Sequence, residues 1–471
     1  MSQETLAFTG LRRGRLGVLG VTFFVVAAVA PMAAIVGGSP VVFASVGPGT
    51  PAVFLMAGAL FLVFSVGYVT MSRHLTNAGG FVAYVARGLG TRAGAAVAGI
   101  TVLCYVALQC GLWSQYGVFA AQLVENRLGV AVPREVLLLV SLVLVTALTA
   151  RGVDLSLKVL GVLLVLEVLT FVVLDVVVLA QGGGPDGFSL QGFSPSSWAV
   201  PGLGVAFLFC VSCFTGFEAT VVFSEEAREP RRTIPRAAYL AIGFIGVFYA
   251  FTTWCLGGAA GFGVVEQEAG DKLAAGTFVP DLAARYVGTG FATVMDVLVV
   301  TSFFAMLIGF HNLFTRYVFA LGRAGALPSV LGRTSAGTRS PVAAALAIGV
   351  AEFAVLGGFE LFRADPIAVT YFWLLALGTA SLVVVLLLTC VAMLRFLPRA
   401  GGGEGVWRTT VTPAVALVGF VVVLYLAIAN YSTLGGSGAG VWLLLGIPLM
   451  AVLGWVLAGS RRDVDFTTEL S

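Results

Sequence analysis

The feature that most constrains this chain is a repetition of apolar runs long enough to cross a bilayer, which takes about twenty residues of helix. We count about twelve: 16–45, 51–73, 93–124, 135–150, 156–181 and 199–225, then 236–260, 286–318, 341–360, 366–396, 409–431 and 438–459. Lipid offers no hydrogen bonds to the backbone, so runs of this kind must fold as helices. The expectation is an all-α polytopic membrane protein. The longest runs must tilt, bend or extend beyond the membrane. Composition agrees where it matters: 10% of the residues are charged, against roughly a quarter in a soluble domain. No basic run suggests nucleic acid, and the partner expected on the surface is membrane lipid.

The basic residues test the count independently. With both termini in the cytoplasm, the segments placed on that side hold 21 of the 26 Lys and Arg. The other five are Arg127, Arg134, Lys272, Arg285 and Arg363. An error of one span would invert the later loops and destroy this asymmetry. Arg12, Arg13 and Arg15 precede a first apolar run longer than the h-region of a signal peptide, which reads as a span that stays in place. A plasma (inner) membrane location is expected. The six cysteines, Cys104, Cys110, Cys210, Cys213, Cys255 and Cys390, all lie in apolar stretches and read as small buried residues. The longest loops are expected near 182–198 and 261–285.

Two spans are interrupted. In span 1, Ala30-Pro31-Met32-Ala33 is followed by Gly37-Gly38-Ser39-Pro40, and a proline in mid-helix removes a hydrogen bond and clashes with the preceding turn. In span 6, Phe214-Thr215-Gly216-Phe217-Glu218 puts a glycine and a carboxylate inside an apolar run. Breaks at corresponding places in two halves point to a binding site at the midplane of a transporter. Spans 1–5 (16–181) and 6–10 (199–396) would then be two inverted repeats. Spans 11 and 12 (409–459) are appended, between a cytoplasmic N-terminus (1–15) and a cytoplasmic tail (460–471). A half-helix starting at Met32 to Ala34 presents its positive end to a carboxylate, and carbonyls freed near Ala28 to Pro31 and Phe214 to Gly216 accept from an ammonium. The expected substrate contacts are therefore Ala30, Pro31, Met32, Ala33, Ala34, Phe214, Thr215, Gly216 and Phe217. The alternative is a pair of kinks without a ligand.

These residues carry a resemblance. Phe214-Thr215-Gly216-Phe217-Glu218, with Glu225-Glu226, Pro230-Arg231-Arg232 and Ile234-Pro235-Arg236, resembles the sixth-helix signature of the amino acid–polyamine–organocation (APC) superfamily. Gly79-Gly80-Phe81 with Tyr84 resembles its Gly-Gly-aromatic loop, and Arg316 through Gly322-Arg323-Ala324-Gly325 to Pro328 resembles the end of its eighth helix. The resemblance implies a LeuT-type five-plus-five inverted repeat and transport of amino acids or amines. It also implies a substrate backbone held at the breaks of spans 1 and 6, with selection from spans 3, 6, 8 and 10. The chain departs from the pattern in span 1, where the family commonly has glycine-serine-glycine, and at Glu229 and Ala324.

Carboxylates in apolar runs are costly, on the order of 2.5–3.5 kcal/mol by insertion scales, and so are functional candidates. Glu167 in span 5 is expected to carry a coupling proton, or to coordinate sodium with Ser302 or Thr301 of span 8; the alternatives are a substrate contact and a protonated, hydrogen-bonded packing residue. Glu218 is expected to gate the cavity, take a proton or contact a basic substrate group, the alternative being an internal hydrogen bond that shapes the break. Asp175, Asp296, Glu352 and the pair His311-Asn312 are further polar groups in apolar runs, and Lys158 is expected to snorkel. Trp113, Tyr116, Phe214, Phe217 and Tyr371 to Trp373 are candidates for closing a pocket. With two His and no metalloprotease or phosphate-loop motif, an enzyme is not expected, nor a catalytic residue, a metal site or a cofactor beyond the coupling proton or sodium ion. Proton symport, exchange, sodium symport and a sensor on the same fold remain as readings. The apolar and aromatic walls favour a neutral amino acid, while Glu218 keeps amines in view. Nothing in the sequence speaks to oligomeric state.

Overall fold

The computed structural model describes residues 17–75, 80–152, 157–222, 227–335, 340–400, 403–431 and 439–460. Arg12, Arg13, Arg15, Gly79, Glu225-Glu226 and most of the tail lie outside these, as does the side chain of Lys158. Span 1 is α1 (Val18–Val29), a π-helix (Ala33–Gly38) and α2 (Ser39–Val46). The chain turns at Gly47-Pro48-Gly49, where Gly47 has φ 50°, into α3 (Thr50–Ser72), which is span 2. A side chain at Gly49 would strike the backbone of Ser197, so only glycine lets the turn sit against the following half of the chain. Then come α4 (Gly80–Leu89), α5 (Thr91–Leu128), α6 (Arg134–Ala150) and α7 (Leu157–Ala180), the last three being spans 3 to 5.

The short α8 (Pro195–Trp198) leads to span 6, made of α9 (Leu203–Ser212) and α10 (Ala219–Val222) around the second break. Span 7 is α11 (Pro230–Ala260), and Pro230 suits its first turn, where no N–H is needed. After α12 (Val265–Asp271) and α13 (Phe278–Tyr286), span 8 is α14 (Thr289–Arg323) and span 9 is α15 (Val342–Leu361). Span 10 is a π-helix (Pro366–Tyr371) continued by α16 (Phe372–Phe396). Span 11 is a π-helix (Trp407–Val411) with α17 (Thr412–Ala429), and span 12 runs through α18 (Ala439–Trp442) to α19 (Gly446–Ser460).

Every expected span thus carries helix among its described residues, and the protein is an all-α polytopic membrane protein. Among the described residues, nine helical stretches are long and apolar enough to cross a membrane. The difference from twelve has three physical sources. Val18–Ser72 is one stretch that folds back on itself, α6 has 17 residues, and α9 stops at the break after 10. The segment 261–285 was expected to be a loop. It carries α12 and α13, which pack on α2 and α14 through buried Val265, Ala269, Phe278 and Leu282. At 38 residues, α5 is about 57 Å long, more than a hydrocarbon core of about 30 Å, so it tilts or projects.

The contacts repeat when the first five spans are exchanged with the next five. Span 1 on span 7 (α1 on α11) matches span 6 on span 2 (α9 on α3), and α1 on α7 matches α9 on α16. Likewise α5 on α16 matches α14 on α7, and α5 on α15 matches α14 on α6. Spans 3 and 10 are central and largely buried, whereas α6, α7, α17 and α19 turn Val143, Val165, Val418 and Val452 outward. An outward apolar face is what lipid requires.

Candidate functional site

Span 1 breaks without a glycine. Ala30 takes a left-handed conformation with φ 51° and ψ 78°, which costs an L-residue about 1–2 kcal/mol. Pro31 follows and has no N–H to offer. The next donor, Met32 N–H, would meet the carbonyl of Ala28 in a continuous helix; here it donates to Glu167 Oε2 at 3.1 Å. Glu167 is 4% exposed, so a buried carboxylate sits at the positive end of a helix, where it is most stable. Ser302 of α14 lies beside the same carboxylate, and its buried hydroxyl satisfies no hydrogen-bond geometry. Thr301 instead donates to the carbonyl of Val297 in its own helix and is exposed.

The break in span 6 is a run of turns from Cys213 to Glu218, with Gly216 at φ 110°. Gly216 N–H donates to Glu218 Oε2 at 2.8 Å, and the hydroxyl of Tyr105 on α5 donates to Oε1 at 3.0 Å. Both oxygens of Glu218 are therefore engaged in shaping the break.

A cavity of about 50 Å³ lies between the two breaks. Span 1 contributes Val29, Ala33, Ala34 and Gly38, and span 6 contributes Ser212, Cys213 and Thr215. Its remaining walls are Leu108, Leu112 and Gln115 of span 3, Met306 and Phe310 of span 8, and Tyr371 and Leu375 of span 10. The buried hydroxyl of Thr215 has no hydrogen-bond partner. Gln115 donates to the carbonyl of Gly37 at 2.9 Å, and a Cβ on Gly37 would lie 2.9 Å from its amide oxygen. That glycine is what lets span 3 close on the π-helix of span 1.

Of the residues singled out in the sequence, Ala33, Ala34, Thr215 and Tyr371 come together on this cavity. Ala30, Pro31, Met32 and Gly216 build the breaks behind it. Phe214 and Phe217 point away, into an aromatic cluster on α3: each ring centroid is 5.0 Å from that of Phe61. Glu167, Glu218 and Ser302 do not line the cavity. Trp113 instead donates to Glu352 at 3.2 Å, and Glu352 also meets His311 at 3.3 Å. Asp175 accepts from Thr252 at 2.8 Å, and Asp296 pairs with Arg127 at 3.0 Å. Sequence reasoning did not reach Gln115, Cys213, Met306 or Phe310, because nothing local distinguishes a cavity-facing apolar or amide residue from one facing a neighbouring helix.

Comparison with known proteins gives the family. The profile described as amino acid permease matches residues 16–457. The chain is 24% identical over 312 residues to the L-asparagine permease of Escherichia coli (strain K12), covering 61% of this chain and 58% of that one. It is 25% identical over 183 residues to the uncharacterized amino acid permease YecA of Bacillus subtilis (strain 168), covering 37% and 38%. It is 26% identical over 275 residues to the amino-acid permease GAP5 of Candida albicans, covering 56% and 43%. The aligned part thus spans less than two thirds of each relative. All three are named permeases, and the profile match extends over nearly all twelve spans. The chain belongs to the amino acid permease family, within the APC superfamily.

Proposed function

We propose that this protein carries a neutral amino acid across the plasma membrane, held in the cavity between the two breaks and coupled to a proton through Glu167. The observation that carries the reading is that one cavity is walled by both breaks and by spans 3, 8 and 10 together. The unpartnered hydroxyl of Thr215 offers a polar contact in an otherwise apolar surround. Backbone at a broken helix supplies the rest.

The engaged oxygens of Glu218 favour a neutral substrate over an amine or a cationic amino acid, and one relative is named for asparagine, which is neutral. At about 50 Å³ the cavity holds a few waters, so any amino acid beyond the smallest requires spans 1 and 6 to part. Movement of span 1 must change the contact between Met32 and Glu167, and this links the carboxylate to transport. An ionised carboxylate holds the Met32 N–H by a charge-assisted bond; a protonated one holds it less strongly. The repeated contact pattern supports repeats at 16–181 and 199–396, and the basic-residue asymmetry supports cytoplasmic termini.

The test uses the full chain in sealed vesicles with labelled neutral amino acids, with and without a pH gradient, sodium and a protonophore. Concentrative uptake that survives removal of sodium and collapses with the protonophore is expected. Exchange of internal for external substrate alone would make the protein an antiporter, a sodium requirement would make it a sodium symporter, and binding without flux would make it a sensor. Glu167→Gln keeps an amide oxygen for Met32 and cannot ionise, so it is expected to bind and exchange substrate but not accumulate it. Normal pH-driven accumulation by this variant would remove Glu167 from the mechanism.

A further inference from the structure

A second concave site lies away from the breaks, where the end of α4 meets the end of α16. We infer that it binds a phosphate-bearing anion, which in the membrane is the headgroup of an anionic phospholipid. A cavity of about 400 Å³ is lined there by Arg87, Arg395 and Arg399, with Gly88, Phe396 and Ala400 as its apolar part. All three arginines are exposed, and none has a carboxylate within 4 Å among the described residues. Arg73, Arg127, Arg134, Arg232, Arg285 and Arg408 each meet an acid within 4 Å; what distinguishes Arg87, Arg395 and Arg399 from the other arginines is that they share one cavity.

Three guanidinium groups gathered on one cavity repel each other, and Arg395 and Arg399 stand one helical turn apart, where like charges are unfavourable. An anion between them removes that cost. The arrangement is also held in place. Arg399 donates to the carbonyl of Arg395 at 2.6 Å, and a Cβ on Gly88 would lie 2.6 Å from the carbonyl oxygen of Ala392, so α4 and α16 are in backbone contact. Forked guanidinium donors on a fixed base suit phosphate oxygens, which they meet in pairs. The lipid source follows from what adjoins the site. Val391, one turn before Arg395, is 38% exposed on the apolar stretch of α16, so an acyl chain has a surface to follow while its headgroup sits among the arginines. Basic pockets at the ends of spans are known settings for anionic headgroups.

The experiment measures thermal unfolding of the full chain in phosphatidylcholine, in phosphatidylcholine with phosphatidylglycerol, and in neutral detergent with inorganic phosphate. Phosphatidylglycerol is expected to raise Tm by about 2–4 °C. The shift should vanish in R87Q/R395Q/R399Q and persist in R228Q/R231Q/R333Q, which removes the same charge elsewhere. A phosphate-induced shift lost in the first variant alone would keep the site and make free phosphate its ligand. An equal lipid effect in wild type and the first variant, or an equal loss in both variants, overturns the proposal. Should the triple variant not fold, Arg87→Gln and Arg399→Gln are each expected to reduce the shift, and a full shift in both overturns it.

Discussion

At the break of span 1 the donor of Met32 is met by Glu167, a carboxylate 135 residues away on another helix; at the break of span 6 the donor of Gly216 is met by Glu218, two residues along the same segment. Both breaks expose backbone that lipid cannot satisfy, and both answer with a buried carboxylate. The second is nearly self-contained, needing from outside only the hydroxyl of Tyr105. The first depends on α7 staying where it is. A change of charge at Glu167, or a shift of α7, therefore acts on span 1 and leaves span 6 to hold its own shape. The two acids differ in reach: Glu218 bonds within its own segment, and Glu167 ties the break of span 1 to another helix.

Substitutions at the two breaks test this contrast. Glu167→Ala should have the largest effect, since it orphans the buried Met32 donor and leaves a void. A loss of about 3 kcal/mol is expected, read as a lowered unfolding midpoint in detergent, with transport abolished. Gly216→Ala should come next. A Cβ there would meet Ala28 and Val29 at an ordinary 3.6 Å, so the cost is backbone strain at φ 110° and amounts to about 2 kcal/mol. Tyr105→Phe takes one donor from Glu218 and should cost about 1–2 kcal/mol, with uptake lowered but its pH dependence unchanged. An altered pH profile in that variant would mean that the two acids share one role. The smallest effect is expected of Ala30→Gly. It relieves a left-handed alanine worth about 1–2 kcal/mol and adds chain entropy worth about 0.5–1 kcal/mol. A net gain of about 0.5 kcal/mol should appear as a slightly higher midpoint.

The legibility of the two breaks differed for the same reason. Gly216 and Glu218 are neighbours, so both the bend and the acid beside it are legible locally. The sequence does not show that both oxygens of Glu218 accept hydrogen bonds, one from Gly216 and one from Tyr105. In span 1 the proline announced a break, yet the absence of glycine hid the fact that Ala30 itself would adopt the left-handed turn. Glu167 was conspicuous as a charge in an apolar run, but its partner was not readable. The aromatic residues show the limit most plainly. Phe214 and Phe217 flank the break, and both turn to Phe61 instead of the cavity, since the turns from Cys213 to Glu218 aim successive side chains in directions that no helical period foretells.

The class of solvent, the number and order of spans, the positions of the two breaks and the family are all legible along the chain. These follow from apolar run length, from the distribution of arginine and from residues that lie together along the chain. The company each residue keeps emerges only on folding: Gln115 against Gly37, Glu167 on Met32, Thr215 facing an open space, and three arginines around one cavity. Hydrophobicity places a helix in the membrane but is nearly indifferent to its rotation, since most of its faces are apolar. Rotation is set by close packing at glycines and by a few buried hydrogen bonds, and those form only between helices far apart in the chain.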